Sequence, residues 1–480
     1  MEHNAIHRRE RPFVAGEWVS GGDALPVSDL ADGGTFASVE AASADDAKRA
    51  LAAAAEAQEE LREATVPERV EWLETVADAI RAREDELAEV IVREAGKPIS
   101  SARGEVESAA ERFERAVGEI RHLKGEFRRG TTSGHADWRA VVEPEPIGTV
   151  LCIAPYNYPL ATTALQVAPA LAAGNAVVVK PASKTPVSSA ILAEIVADAG
   201  LPEGAFNFVP GESSVVGDPL ASDSRVDAIA MTGSSGAGEH VARQSGITRL
   251  HMELGGNAPA IVFDDADLDA AATAAAKGSL KYAGQRCSAV SRVLAHESVH
   301  DDLVARIDDA MDDWTVGDLF ADDTDLGPLV SAEQADWVAE LVDDAVECGA
   351  TVVRGGDRYE EDGIHFYELT LLADVPRDAR IVDEEQFGPV CAVTTIEDED
   401  DAVALTNRSD LALDAAVFTT DHDRAMDVAQ RVDAGSVRIN GAPSHGLGDV
   451  PFGGNDASGI GREGLDSTIH EFVREKSIIL

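Results

Sequence analysis

Cysteine is scarce in this chain: four among 480 residues, at positions 152, 287, 348 and 391, without short regular spacing. That excludes a disulfide framework and a zinc-binding pattern, and a reducing interior is the expected home. Basic residues are also few, 40 lysines and arginines against 88 acids, for a formal net charge of -48. Neutralising phosphates needs the opposite sign, so nucleic acid is excluded as a partner. Long apolar runs are missing too. The most apolar stretch, Leu160 to Val179, is broken by Gln166, Pro169, Gly174 and Asn175, which fit a helix, a turn and a buried strand and no membrane span. The charged opening, Met1-Glu2-His3-Asn4, leads into no apolar core, so no secretory signal is read there. A cytoplasmic protein is expected.

What is present is enough apolar material, 44% of the residues, for two to four units at roughly 150 residues each. The acids do not gather in a tail. They alternate with apolar residues, as in Asp264-Asp265-Ala266-Asp267-Leu268-Asp269, and at this magnitude they predict adaptation to a salt-rich cytoplasm, where self-repulsion is screened.

From Ser43 to about Leu123 the pattern is helical, with Ser43 as an N-cap, Pro67 in a first turn, and Gly96 with Pro98 closing a long amphipathic run. A polar interval from Arg128 to His135 and the alternating Trp138 to Val142 read as an extended hairpin arm. Strands and helices then alternate: Thr149 to Ile153, Ala176 to Lys180, Phe206 to Val209, Ala228 to Met231 and Thr248 to Glu253, each followed by a helix or turn. A second alternating block runs from Pro259 to about Val437. Such alternation specifies α/β architecture, with open parallel sheets under helices and ligands at the carboxyl ends of the strands.

Those strand ends carry the chemistry. Cys287, in Gly284-Gln285-Arg286-Cys287-Ser288, has a glycine and polar neighbours, the accessible setting a thiolate nucleophile needs. Cys152, Cys348 and Cys391 read as core packing. Glu253, in Glu253-Leu254-Gly255-Gly256, is a strand-end carboxylate suited to general-base work, or else a solvated acid. Asn157, fixed between Pro155 and Pro159, is placed to donate to an oxyanion; a local cap is the competing reading. Lys180 suits the hydroxyls or phosphate of a nucleotide. Thr232-Gly233-Ser234-Ser235-Gly236 follows a strand and opens a helix, where backbone N–H groups can approach a pyrophosphate. It is not a G-x-G-x-x-G fingerprint. No metal-ligand pattern is present.

Pro155 to Pro159, Lys180-Pro181, Thr232-Gly233-Ser234, Glu253 to Gly256, Gly284 to Cys287, Glu385-Gln386-Phe387-Gly388-Pro389 and Pro451-Phe452-Gly453-Gly454, in this order, resemble the aldehyde dehydrogenase superfamily from about Phe13 onward. The branch most similar in look holds archaeal lactaldehyde and non-phosphorylating glyceraldehyde-3-phosphate dehydrogenases. The resemblance implies a Rossmann-like cofactor domain (1–127 and 148–255), a catalytic domain (256–450), and an oligomerisation arm with a C-terminal strand (128–147 and 465–480) that join subunits as a homodimer or homotetramer. It implies that Cys287 attacks an aldehyde, that the Asn157 amide and the Cys287 N–H hold the oxyanion, and that Glu253 activates water on the thioester. Lys180, Ser183, Gly211, Gly233, Ser234, Glu385 and Phe387 are implied to contact NAD or NADP. Tyr158, Arg286, His445 and Phe452 are implied to line the substrate pocket.

Two departures bear on specificity. Many NAD-preferring members carry Lys-Pro-x-Glu, whereas this chain has Lys180-Pro181-Ala182-Ser183-Lys184; without that glutamate a 2'-phosphate is tolerated, so NADP is favoured. The competing reading makes Ser183 part of the approach to the next helix. Arg286 can hold a phosphate or carboxylate in bidentate fashion, which points to a glyceraldehyde-type, lactaldehyde or semialdehyde substrate. Glu253 argues for free acid over CoA ester. A non-catalytic nucleotide-binding protein of the same fold is the remaining alternative, and a cysteine acyl hydrolase lacks a histidine partner for Cys287.

Overall fold

The computed structural model of the protein describes residues 8–444, 450–464 and 467–480. His445, an expected pocket residue, lies outside the described residues.

The helical opening forms as the caps require. Ser43 and Asp46 make a reciprocal capping box at the start of Ala44–Glu63, and Thr65 and Glu68 make another at Val66–Ala82, with Pro67 in its first turn. Each satisfies backbone N–H groups that a helix start leaves without partners. Gly96, at a φ of 70°, ends Glu84–Ala95 in the left-handed conformation that glycine adopts without steric cost. The long helix Ile99–His122 then packs on Val66–Ala82 and on Ala161–Ala172.

Two open sheets follow. In the first, the parallel strands run in the order Arg249–Glu253, Ala228–Thr232, Thr149–Ile153, Ala176–Lys180 and Phe206–Phe208, extended by antiparallel Gly459–Ile460 at one edge and by Phe13–Val14 and Glu17–Trp18 at the other. In the second, Thr370–Ala373, Val390–Ile396, Val290–His296, Ala258–Val262, Asp414–Phe418 and Ser436–Ile439 are parallel, and Thr351–Arg354 closes one edge antiparallel. Ala176–Lys180, Ala258–Val262 and Asp414–Phe418 are buried at every position, as strands covered by helices on both faces must be.

Register positions the chemistry. Ile153 pairs with Lys180, Met231 with Ile153, and Thr232 with Glu253. The carboxyl ends of these strands therefore lie in one row, where open α/β sheets bind ligands.

The arm is longer than its expected strand. Its strands are Glu126–Arg129 and Arg139–Pro146, and Val473–Ile479 pairs with the second, from Val473 opposite Pro146 to Ile479 opposite Ala140. Pro144 and Pro146 are tolerated because Glu126–Arg129 covers only residues 139–142, leaving the rest an edge on that side. The C-terminal strand thus finds a partner within its own chain.

Of the three cysteines read as core, Cys152 and Cys391 are buried, but Cys348 is exposed. The buried stripe of its helix ends at Ala345. Among the described residues, no helix is long and apolar enough to cross a membrane.

Candidate active site

The nucleophile loop begins with a bend that L-residues rarely adopt. Tyr282 and Ala283 hold φ of 58° and 49°, followed by Gly284 at 71°. Backbone in this region is strained and persists only where its surroundings impose it. Here they do: the Tyr282 hydroxyl donates to the Ala95 carbonyl at 2.8 Å, the Gln285 amide donates to Pro328 O at 3.2 Å, and Gln285 Oε1 accepts from the Val330 N–H at 3.0 Å. Asn157 Nδ2 donates to the Gln285 carbonyl at 2.9 Å. Asn157 therefore braces the nucleophile loop from the first sheet with one of its two amide N–H groups.

Cys287 is partly exposed at a cleft of about 370 Å³ that also takes in Glu253, Tyr158, Arg286 and Phe452. Burial pushes the Cys287 pKa up to about 12, with Asp414, Glu385 and Glu253 adding to the shift and the Ser288 hydroxyl opposing it. Glu253 is 3% exposed, and neither carboxyl oxygen has a hydrogen-bond partner. Burial holds its pKa well above the usual carboxylate range; Glu463 and Asp414 add to this and Arg462 opposes it. A carboxyl so placed takes a proton readily, as a general base must.

Three charged residues of the cleft were not singled out from the sequence: Arg112, Lys281 and Glu463. Lys281 precedes the strained bend, and its pKa is lowered by burial and then by Arg286 and Lys277. Among the described residues, neither Lys281 nor Arg286 forms an ion pair. The cleft shares Ser108, Tyr158, Ala161 and Lys281 with a second cleft of about 370 Å³ that reaches Lys97, whose ammonium lies 3.4 Å from the Tyr158 ring centre.

Of the expected cofactor residues, Ser183 lies against Gly211, and Glu385 lies against Gly255 and Gly256. Lys180 is 5% exposed, and burial lowers its pKa to about 8, opposed by Glu212; its Nζ donates to Pro181 O at 3.2 Å. Ser183 is no helix cap: the first N–H groups of Val187–Ala197 go to Glu94, at 2.7 Å from Val187 and 3.0 Å from Ser188. Its hydroxyl instead donates to the Gly211 carbonyl at 3.3 Å. Lys184 turns away, donating to Ser331 Oγ at 2.6 Å. Ser234 caps Ser235–Gln244, and the Gly233 N–H donates to the Glu253 carbonyl.

Of the neighbouring acids, Glu384 takes the loop salt bridge, to Arg380 at 2.8 Å. Glu385 instead accepts from the Gly256 N–H at 3.0 Å, and burial raises its pKa to about 8. A Cβ on Gly255 would lie 2.7 Å from Glu385 Oε2, so glycine leaves room for this carboxyl. Phe387 packs edge-on against Tyr156 at 5.9 Å between ring centres.

Comparison with known proteins agrees with this geometry. The family described as "Aldehyde dehydrogenase family" matches residues 18–478. The NADP(+) succinate-semialdehyde dehydrogenase of Escherichia coli is 36% identical, over 98% of this chain and 97% of that one. The 3-sulfolactaldehyde dehydrogenase of Priestia aryabhattai is 34% identical, over 98% and 97%. The structure of the NADP-dependent glyceraldehyde-3-phosphate dehydrogenase of Bacillus halodurans complexed with NADP superposes with a TM-score of 0.95 at 36% identity, covering 98% of this chain and 99% of that one. With the motifs in order, the two sheets, and a cysteine and a carboxyl sharing one cleft, this chain belongs to the aldehyde dehydrogenase family.

Proposed function

We propose that the protein oxidises a small aldehyde carrying an anionic group to the free carboxylic acid, using NADP or NAD. The observation that carries this reading is that Cys287 and Glu253 open onto one cleft with Lys281 and Arg286. Cations without ion-pair partners beside a nucleophile recognise a carboxylate, phosphate or sulfonate on the far end of a short substrate. The relatives' substrates, succinate semialdehyde, glyceraldehyde-3-phosphate and 3-sulfolactaldehyde, are of this kind.

The residues fit a dinucleotide. Lys180 is a nearly buried cation at a strand end, the Gly233 turn opens a helix N-terminus, and Glu385 is held inward by Gly256. When bound, the nicotinamide supplies the acceptor for the hydride. The Cys287 thiol passes its proton to water, its Sγ bonds to the aldehyde carbon as the carbonyl π pair moves onto oxygen, and the resulting oxyanion is held by the Asn157 amide and the Cys287 N–H. Once the hydride has left, a thioester joins Cys287 to the acyl group. Glu253 then takes a proton from water as its oxygen attacks the thioester carbon, and collapse of that adduct expels the Cys287 thiolate and releases the acid.

For the cofactor, NADP is favoured: no carboxylate stands at position 183 to repel a 2'-phosphate, and Lys180 ends the strand that leads to it. In the same reading, residues 1–127 and 148–255 form the cofactor domain and 256–450 the catalytic domain. The arm sheet supports association into dimers or tetramers, because Phe127, Trp138, Ile478, Ile479 and Leu480 are exposed on or beside it.

The test is a panel of aldehydes with NAD or NADP in high salt, followed by reduced-cofactor absorbance at about 340 nm. Anionic short-chain aldehydes are expected to turn over fastest. Nucleotide binding without turnover of any aldehyde supports the non-catalytic alternative, and a requirement for CoA supports the acylating one.

A further inference from the structure

The side chains of Lys97 and Glu105 are each 1% exposed and form an ion pair. Two opposite charges taken out of water gain little over an apolar pair of the same size, so stability alone does not account for them. Their contacts lead to the catalytic centre instead.

The ammonium lies between two rings that belong to the two loops meeting there. Lys97 Nζ is 3.4 Å from the centre of the Tyr158 ring and 4.5 Å from that of Tyr282, and the two rings pack edge-on at 6.0 Å. Tyr158 follows Asn157, whose amide donates to the Gln285 carbonyl. Tyr282 begins the strained bend that leads to Cys287, and its hydroxyl donates to Ala95 O, just ahead of Lys97. A cation is attracted to an aromatic face, most strongly where water is excluded.

Glu105 extends this hold. Its Oε2 accepts from Lys97 Nζ, while its Oε1 accepts from the Leu160 N–H at 3.0 Å and the Ala161 N–H at 3.2 Å. These groups open the helix Ala161–Ala172, directly after Asn157, Tyr158 and Pro159, and Leu160 offers that helix no side-chain cap. The carboxylate supplies what the local sequence omits.

We propose that Lys97 is a positioning residue for the reaction: its buried charge keys the Asn157–Tyr158–Pro159 loop to the bend before Cys287, and so sets the spacing between oxyanion donor and nucleophile. The proposal rests on the reading of Cys287 as nucleophile and Asn157 as oxyanion donor. An apolar side chain of equal length fills the same space but is not drawn to two ring faces and a carboxylate at once.

The experiment compares the full-length protein with Lys97→Met and with the double variant Lys97→Met/Glu105→Gln. Burial lowers the Lys97 pKa to about 8, and Glu105 opposes the shift, so measurements are made at pH 7. The double variant leaves no uncompensated buried charge, and a glutamine oxygen still accepts from Leu160 and Ala161; it decides the question if Lys97→Met does not fold. Hydrogen exchange read by peptide mass is expected to quicken at least ~10-fold both from Asn157 to Thr162 and from Tyr282 to Ala289. The arm strands Arg139–Pro146 and Val473–Ile479 are expected to stay unchanged. With an aldehyde that the parental enzyme oxidises, the single-turnover rate constant of cofactor reduction is expected to fall about tenfold, with the Kd for NADP held within about twofold. A lysine needed only for folding lowers the amplitude of that turnover, the number of competent sites, and leaves its rate constant alone. Exchange unmoved in either segment, exchange quickened throughout the chain, or a parental rate constant in the folded double variant overturns the proposal. Exchange requires no aldehyde, so failure of the substrate panel and failure of this proposal are told apart.

Discussion

Gly256 and Cys287 meet backbone to backbone: a Cβ on Gly256 would stand 2.1 Å from the Cys287 carbonyl oxygen. The same glycine donates its N–H to Glu385 Oε1 at 3.0 Å. One residue therefore fixes the nucleophile loop on one side and a cofactor-side carboxyl on the other. Gly256→Ala is expected to displace the loop and reduce kcat/KM at least ~100-fold, because misplacement of about 1 Å at a reacting centre has that effect. Steady-state kinetics beside a thermal melt checks this; near-parental turnover in a folded variant contradicts it.

Glu253→Gln removes the base and leaves the shape. It is expected to release a burst of reduced cofactor, about one equivalent per active site, followed by a steady rate lowered ~100-fold or more. Rapid-mixing absorbance distinguishes this from a linear trace at the parental rate, which excludes Glu253 as the base.

The pH dependence follows from the raised proton affinities of Cys287 and Glu253. Both groups must lose a proton to act, and both hold it above their ordinary range, so kcat is expected to rise with pH through the neutral-to-alkaline region. The rise is expected to flatten in Glu253→Gln if hydrolysis limits the rate. A pH–rate profile that falls from pH 7 to pH 9 in stable enzyme runs against this assignment.

Ser183→Glu places a carboxylate beside the Gly211 carbonyl that Ser183 now bonds. Repulsion of a 2'-phosphate is expected to lower kcat/KM with NADP at least ~10-fold while NAD is retained or improved. Equal losses with both cofactors indicate a general disturbance of the loop instead.

The surface charge makes a separate prediction. With a formal net charge of -48, self-repulsion is screened over about 3 Å at molar salt and about 10 Å at 0.1 M. Dilution from molar KCl into dilute buffer is expected to lower the melting temperature or dissociate the assembly, followed by scanning fluorimetry and light scattering. Constant values across that range remove the salt-adaptation reading.

Most strands of the first sheet were legible because they are apolar runs soon followed by glycine or proline, and the helices because their caps are local. Ser43, Pro67 and Gly96 each act within one turn of their own position. Cys287, Glu253, Phe387 and Lys180 stood out through short motifs. Lys281, Arg112 and Glu463 did not, because what gives them meaning is a neighbour brought in from a distant segment. Lys281 had one available signal, its position six residues ahead of the nucleophile. Glu463 had another, in Gly461-Arg462-Glu463-Gly464.

The braces on the strained bend at Tyr282 and Ala283 also set an order of assembly. Ala95 and Asn157 lie more than a hundred residues before the bend and Pro328 and Val330 more than forty after it. During synthesis the bend therefore emerges with its earlier partners already made and its later ones still missing. On the nascent chain the Pro328 and Val330 braces are missing, and in a fragment that begins at the second sheet those from Ala95 and Asn157 are missing. Competence arrives only when both halves of the polypeptide have closed on the loop.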